Sequence, residues 1–207
     1  MIDPALFPLF LAGALLLNVT PGPDMAFTLA SATRGGSKTG IAAAIGVGAG
    51  SIVWAGLTAC GLAALLAASD HAFSVVKTIG GVYLLYLAWR AYRTRKDFKS
   101  VDGAGDLAGA FRSGALTNLL NPKVGLFYLA FLPSFTNPEI GSVWLQTLTL
   151  GAIFSLSGAV VLVGVALAAG AVRNRLAASV RLRSGLSLFA ATMFGALGLR
   201  LIFVADR

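Results

Sequence analysis

The sequence NVTPGPD at residues 18–24 and the sequence NLLNPK at residues 118–123 each interrupt a long apolar run. Proline lacks an amide donor and its ring clashes with the preceding turn, so neither sequence continues a regular helix. Backbone groups left free at membrane depth are tolerated only where protein or a water-filled cavity satisfies them. The two breaks therefore predict two discontinuous membrane helices that border the central site of a transporter. The alternative is a pair of proline kinks that serve helix packing alone.

The composition places the whole chain in a membrane. Of its 207 residues, 57% are hydrophobic and 12% are charged, and the mean hydropathy is +0.83. A soluble domain carries roughly 25% charged residues, so this chain has too few charges to cover a globular surface. The net charge of +8 does not indicate nucleic-acid binding, because the basic residues lie between the apolar runs, where the positive-inside rule places them.

The apolar runs predict six transmembrane helices, since each span needs roughly 20 apolar residues. The predicted spans are 5–32, 40–68, 72–91, 112–135, 142–172 and 184–204. Lys and Arg concentrate in the first, third and fifth connections. These connections are therefore expected to face the cytoplasm and both termini to face outside.

A polar segment with several Lys and Arg divides the chain into two halves. We expect one transporter domain over residues 1–207, with three helices in 1–92, a cytoplasmic linker in 93–110 and three helices in 111–207. Similar halves with three helices each lie upside down relative to one another in the membrane. The fold class predicted is therefore an all-α integral membrane protein with two inverted three-helix repeats and broken helices 1 and 4.

A capping residue stands before a proline in both breaks. Thr20 precedes Pro21, and Asn121 precedes Pro122. This order is typical of a helix start with the polar residue at Ncap and proline at N1. The predicted break residues Pro21, Gly22, Pro23 and Pro122 would then begin half-helices, whose N-termini suit an anion.

Asp24 and Lys123 are the charged residues deepest in the apolar runs. Asp24 lies ten positions before Arg34, and Lys123 lies eleven after Arg112. At about 1.5 Å per residue both lie on the order of 15 Å inside a core about 30 Å thick. Asp24 is the candidate for binding a substrate ammonium or carrying a proton, or else it complements a helix N-terminus. Lys123 is the candidate for a substrate carboxylate, or else it forms an ion pair that fixes the fold.

Four further residues complete the candidate substrate site. Asn18, Thr20 and Asn121 belong to the breaks, and Tyr83 either lines the cavity or belongs to an interfacial aromatic belt. A site with one acid, one base and two helix N-termini would accept a zwitterion such as a free amino acid.

Other function classes find little support in the sequence. One cysteine, Cys60, and one histidine, His71, make neither a zinc site nor an intramolecular disulfide. We expect no enzyme, no metal site and no cofactor. The alternatives that remain are a passive channel, a structural membrane protein, and an exporter of another small solute such as a metal cation or a drug.

The breaks at 18–24 and 121–123, together with GGVYLLYL at residues 80–87, resemble the LysE/RhtB family of bacterial amino-acid exporters. The resemblance covers nearly the whole chain. It implies a multi-pass carrier of the bacterial inner membrane that exports amino acids or their derivatives by proton antiport. It places the family's motif roles on Pro21, Gly22, Pro23, Asp24, Asn121, Pro122 and Lys123. Its expected partners are an amino acid, protons and the lipid bilayer, and the sequence leaves open whether the protein is a monomer or a homodimer.

Overall fold

The computed structural model describes residues 2–68, 103, 105–171 and isolated positions within 78–93 and 188–199. It contains six α-helices over these residues: α1 (Phe7–Val19), α2 (Pro23–Gly35), α3 (Ser37–Ala68), α4 (Leu107–Leu119), α5 (Pro122–Leu126) and α6 (Val143–Ala171). The described residues form no strand. The prediction of an all-helical chain is confirmed for this part of the molecule.

Two of these helices, α3 and α6, are long and apolar enough to cross a membrane. A third span results if the bent pair α1 and α2 is one membrane crossing. These three correspond to the spans predicted at 5–32, 40–68 and 142–172. The spans predicted at 72–91 and 184–204 lie outside the described residues, except for isolated positions. The number of six transmembrane spans therefore stays a prediction.

The first predicted span is broken where the sequence indicated. Helices α1 and α2 meet at an angle of 47°. One detail of the prediction was wrong: Thr20 is the C-cap of α1, and the N-cap of α2 is Gly22, with Pro23 at N1. The physical reason is local, because both the Thr20 hydroxyl and its backbone N–H donate to the carbonyl of Leu16, at 2.7 Å and 3.0 Å, and so complete the last turn of α1.

The second break separates α4 from α5 and follows the prediction. Asn121 is the N-cap of α5, its side chain accepts a hydrogen bond from the Lys123 backbone N–H at 3.1 Å, and Pro122 opens the helix. A π-helical turn at Phe127–Phe131 and a 3-10 turn at Leu132–Phe135 continue the segment. Helix α4 begins five residues before the predicted edge at 112, because Asp106 caps it by accepting from the Gly109 N–H.

Helix α3 packs against α2, α4 and α6 and holds both breaks together. Two glycines of α3 bring α4 close. A Cβ added at Gly46 would collide with the backbone of Phe111, and one at Gly50 would lie 2.7 Å from the carbonyl oxygen of Ala115. This is the small-residue packing that is common between membrane helices. The C-terminal end of α4, next to the second break, is thereby placed beside α3.

Candidate functional site

The two helix breaks border one cavity. Its volume is about 30 Å³ for the centre of a water-sized sphere, which is room for a water molecule or two and no more. It is lined by Leu17, Asn18, Thr20, Asp24, Met25, Val47, Gly48, Ser51, Asn118, Lys123, Val124, Phe154, Ser155, Gly158, Ala159 and Leu162. Of the predicted site residues, Asn18, Thr20, Asp24 and Lys123 therefore come together.

Asp24 lies in the first turn of α2 and is buried, with 8% of its surface exposed. Its Oδ2 atom accepts a hydrogen bond from the Asn118 side-chain amide at 2.9 Å. Its Oδ1 atom is buried and has no hydrogen-bond partner in the structure. Asn121 lies beside the same carboxylate, and the Lys123 ammonium is close enough to attract it electrostatically. One oxygen of a buried carboxylate is thus left for a donor that enters the cavity.

Lys123 belongs to α5 but its side chain reaches the first break. Its Nζ donates to the carbonyl oxygens of Leu17 at 3.2 Å and Thr20 at 3.1 Å, at the C-terminal end of α1. Gly22 makes room for it, since a Cβ there would lie 3.0 Å from Nζ. The glycine of the first break therefore leaves room for this approach, which a Cβ would make tight. Its backbone is extended, a conformation open to any residue.

Asn18 and Thr20 use their side chains to hold the end of α1. The Asn18 amide donates to the Ser157 hydroxyl at 3.0 Å and to the Phe154 carbonyl at 3.3 Å, both on α6. The Thr20 hydroxyl bonds within α1, to Leu16. Both residues line the cavity, and these hydrogen bonds fix the helix end that borders it. Tyr83, the remaining candidate, lies outside the described residues.

Three hydroxyl groups near the cavity escaped the sequence analysis. Tyr128, fully buried, donates to the Gly151 carbonyl at 3.0 Å and lies 2.9 Å from the Ser51 hydroxyl. Because a phenol has a single proton, Ser51 is the donor in its bond to Tyr128, and its own oxygen keeps an acceptor position beside the cavity. Ser155 donates to the Gly48 carbonyl at 2.8 Å. Isolated serines among small residues carry no pattern that would have singled them out.

Asn118 is a further polar residue of the cavity that the site prediction left out. It is 2% exposed and is the hydrogen-bond donor to Asp24. A signal for it existed, because Asn18 and Asn118 each stand shortly before the proline of their break. The two asparagines nevertheless do different things, since Asn18 binds α6 and Asn118 binds the buried acid.

The cavity carries balanced charge within an apolar wall. Asp24 and Lys123 are its only lining residues of ionisable type among the described residues, and they have opposite signs. The side chains of Met25, Val47 and Leu162 supply apolar surface. Such a site can bind an ammonium at the carboxylate, an anion at the lysine, and an uncharged group against the wall.

Comparison with known proteins gives consistent matches. The profile of the LysE type translocator family matches residues 15–204. An uncharacterised membrane protein of Pseudomonas aeruginosa is 32% identical over 204 residues, which cover 93% of this chain and 92% of that protein. The leucine efflux protein of Klebsiella pneumoniae is 36% identical over 130 residues, 61% of each chain. The membrane protein YrhP of Bacillus subtilis is 29% identical over 154 residues, 69% of this chain and 73% of its own. No solved structure gives a significant match.

Proposed function

The chain belongs to the LysE type translocator family, and on that premise we propose that it exports a neutral aliphatic amino acid from the cytoplasm by proton antiport. Membership makes it an integral membrane transporter and not an enzyme. The observation that carries the proposal is the cavity between the two breaks, with one acid, one base and apolar walls.

The substrate class follows from charge balance. A zwitterion brings one positive and one negative group, which match Asp24 and Lys123. A lysine or glutamate side chain would bring a further charge that no other lining residue among those described can pair, and an unpaired buried charge is costly. The name of the Klebsiella relative, a leucine efflux protein, makes leucine the first substrate to test.

Coupling to protons is assigned to Asp24. Its buried Oδ1 atom has no partner in the structure and can accept either a substrate ammonium or a proton. If the carboxylate binds a proton from outside and releases it inside during return, each cycle couples amino-acid export to proton entry. Lys123 receives the substrate carboxylate, Asn121 places Lys123, and Asn18 and Thr20 hold the end of α1.

The architecture proposed is six spans in two inverted halves in the bacterial inner membrane, with both termini outside. Its support is the pair of broken helices, one from each half, whose breaks border the same cavity. Inverted repeats with discontinuous helices around a midplane site are a common carrier design. Export then results when the halves rock and open the cavity to alternate sides.

The test is export from cells that express the protein and are loaded with leucine, lysine or glutamate as dipeptides. We expect the wild type to release leucine faster than cells without it, and an uncoupler to stop this release. Asp24→Asn should abolish gradient-driven export while the protein still inserts, because the amide neither takes up the proton nor pairs with the ammonium.

The matched control is Asp106→Asn, the same chemical change at an exposed helix cap. Asparagine caps helices as well as aspartate does, so this variant should export normally. Normal export by Asp24→Asn would remove Asp24 from the mechanism. Faster release of lysine or glutamate than of leucine would contradict the substrate class.

A further inference from the structure

The contact between Lys123 and the end of α1 has the chemistry of an occupied ammonium site. The Lys123 Nζ donates to the carbonyls of Leu17 and Thr20. In a regular helix the Leu17 carbonyl would accept from the residue four positions later, which is Pro21 and has no N–H. The last carbonyls of a helix also carry the negative end of its dipole. The break thus exposes acceptors that favour a cation with several N–H donors.

Asp24 adds a third acceptor to the same cavity. Its Oδ1 atom is buried without a hydrogen-bond partner in the structure, and the residue itself is more than nine-tenths buried. Leu17, Thr20 and Asp24 all line the cavity together with Lys123. A primary ammonium has three N–H donors, and the two carbonyls and the carboxylate equal them in number.

We infer that the Lys123 side chain is a tethered stand-in for the substrate ammonium, which holds the site while the carrier is empty. This rests on the proposed function. When an amino acid enters, its ammonium takes the carbonyls of Leu17 and Thr20 and displaces Lys123, which then meets the substrate carboxylate. Both ammonium groups need the same carbonyl oxygens of Leu17 and Thr20, and like charges repel, so the two occupants exclude each other.

The stand-in explains how an empty carrier can return. Buried acceptors without donors are unfavourable, and more so at membrane depth. A carrier whose site were vacant after release would therefore resist closing. Lys123 satisfies the two carbonyls of α1 from within the protein, so the substrate-free form can close and reorient. Net export needs this return step, whereas exchange of one amino acid for another does not.

The test separates these two transport modes in proteoliposomes with labelled leucine. In Lys123→Met we expect net efflux into leucine-free medium to fall about 30-fold or more, since return of the empty form is disfavoured. Exchange against saturating external leucine should fall clearly less than net efflux, because a loaded carrier has its site filled and lacks only the partner of the substrate carboxylate. Lys123→Arg, which keeps a cationic donor, should retain part of the net efflux.

A soluble amine should replace the missing side chain. Methylammonium added outside should restore net efflux by Lys123→Met and leave the wild type unchanged, whereas tetramethylammonium, which has no N–H donor, should restore nothing. Lys38→Met is the matched control, because it makes the same change at an exposed lysine and should transport normally. If Lys123→Met loses exchange and net efflux equally, or loses neither, the inference is wrong.

A binding measurement keeps the inference testable if leucine is not the substrate. The melting temperature of purified Lys123→Met should rise with methylammonium chloride relative to tetramethylammonium chloride, and that of the wild type should not, because Lys123 already fills the site. Equal melting temperatures in the two salts would overturn the inference even if export is established. If Lys123→Met does not yield folded protein, Lys123→Gln takes its place in both measurements.

Discussion

The two helix breaks look alike in sequence but are built differently. The second break is self-contained, because Asn121 caps α5 with its own side chain. The first has no side-chain cap at the start of α2, and the carbonyls at the end of α1 receive their donor from Lys123 of the second break. A proline next to a polar residue therefore indicates where a helix stops, while the partner that satisfies the stop comes from elsewhere in the fold.

This asymmetry gives the cavity its chemistry. If residues of the first break supplied donors to the α1 carbonyls, those carbonyls would not need the Lys123 ammonium as a hydrogen-bond donor. Because the first break depends on the second, a basic side chain of the second break reaches the first, and a ligand that competes for its acceptors acts on both breaks. Three predictions test this dependence, from the largest expected effect to the smallest.

The largest effect is expected from Gly22→Val. A Cβ at this position would lie 3.0 Å from the Lys123 Nζ and 3.4 Å from its Cε, and the valine methyl groups would push the ammonium off the α1 carbonyls. Hydrogen bonds from a charged donor contribute about 1.5–3 kcal/mol each, so we expect net leucine export to fall about 30-fold or more. The rate of efflux per inserted protein molecule measures this.

The control for Gly22→Val is Gly56→Val, the same change on α3 where an added Cβ meets nothing within 4 Å. That variant should export at the wild-type rate. Wild-type export by Gly22→Val would mean that the first break does not depend on Lys123, and the comparison between the breaks would lose its basis.

An intermediate effect is expected from the two asparagines that precede the breaks. Asn118→Leu removes the donor to Asp24, and we expect about tenfold weaker export, since a hydrogen bond to a charged group contributes about 1.5–3 kcal/mol. Asn18→Leu breaks bonds to Ser157 and Phe154 on α6. It should lower the melting temperature and leave the export rate per folded molecule close to that of the wild type.

Export and thermal unfolding are measured on the same preparations of Asn118→Leu and Asn18→Leu, which separates an effect on transport from an effect on stability. The reverse pattern, with export lost in Asn18→Leu and kept in Asn118→Leu, would assign the ligand contact to Asn18 instead of Asp24 with its donor Asn118, and would contradict the geometry described above.

The smallest expected effect is a change in stability. Asn121→Ala removes the cap of α5 and should lower the free energy of unfolding by about 1 kcal/mol. Thr20→Val should cost less than about 0.5 kcal/mol, because the Leu16 carbonyl still accepts from the Thr20 backbone N–H. Thermal unfolding in detergent measures both. A larger loss in Thr20→Val than in Asn121→Ala would mean that the first break is the self-contained one.

Much of the site could be predicted because membrane burial makes polar residues informative. Asp24 and Lys123 stand out as deep charges, and the prolines mark the breaks wherever they occur, since proline cannot donate a backbone hydrogen bond. Ser51 and Tyr128 could not be found in this way. A serine or tyrosine costs little in an apolar run, and their contact with each other joins residues 77 positions apart.

The position of Thr20 shows a limit of predicting helix starts from neighbouring residues alone. The sequence Thr20-Pro21 satisfies the rule for a helix start as well as Asn121-Pro122 does, yet Thr20 ends α1. The second proline of the first break makes the difference. Pro23 offers another N1 position two residues later, and α2 begins there. With two prolines available, propensity alone does not choose between them.

Sequence by itself determined that this chain is an all-helical membrane protein, that two helices are broken, and that one acid and one base lie near the breaks. Hydrophobicity and the missing N–H of proline are properties of single residues, so their effects can be predicted without a structure. Only the tertiary structure decided that Lys123 reaches the carbonyls of α1, that Asn118 holds Asp24, and that both breaks face one small cavity. Those contacts join residues about a hundred positions apart, so they form only when the helices pack together, and no rule that acts on neighbouring residues predicts them.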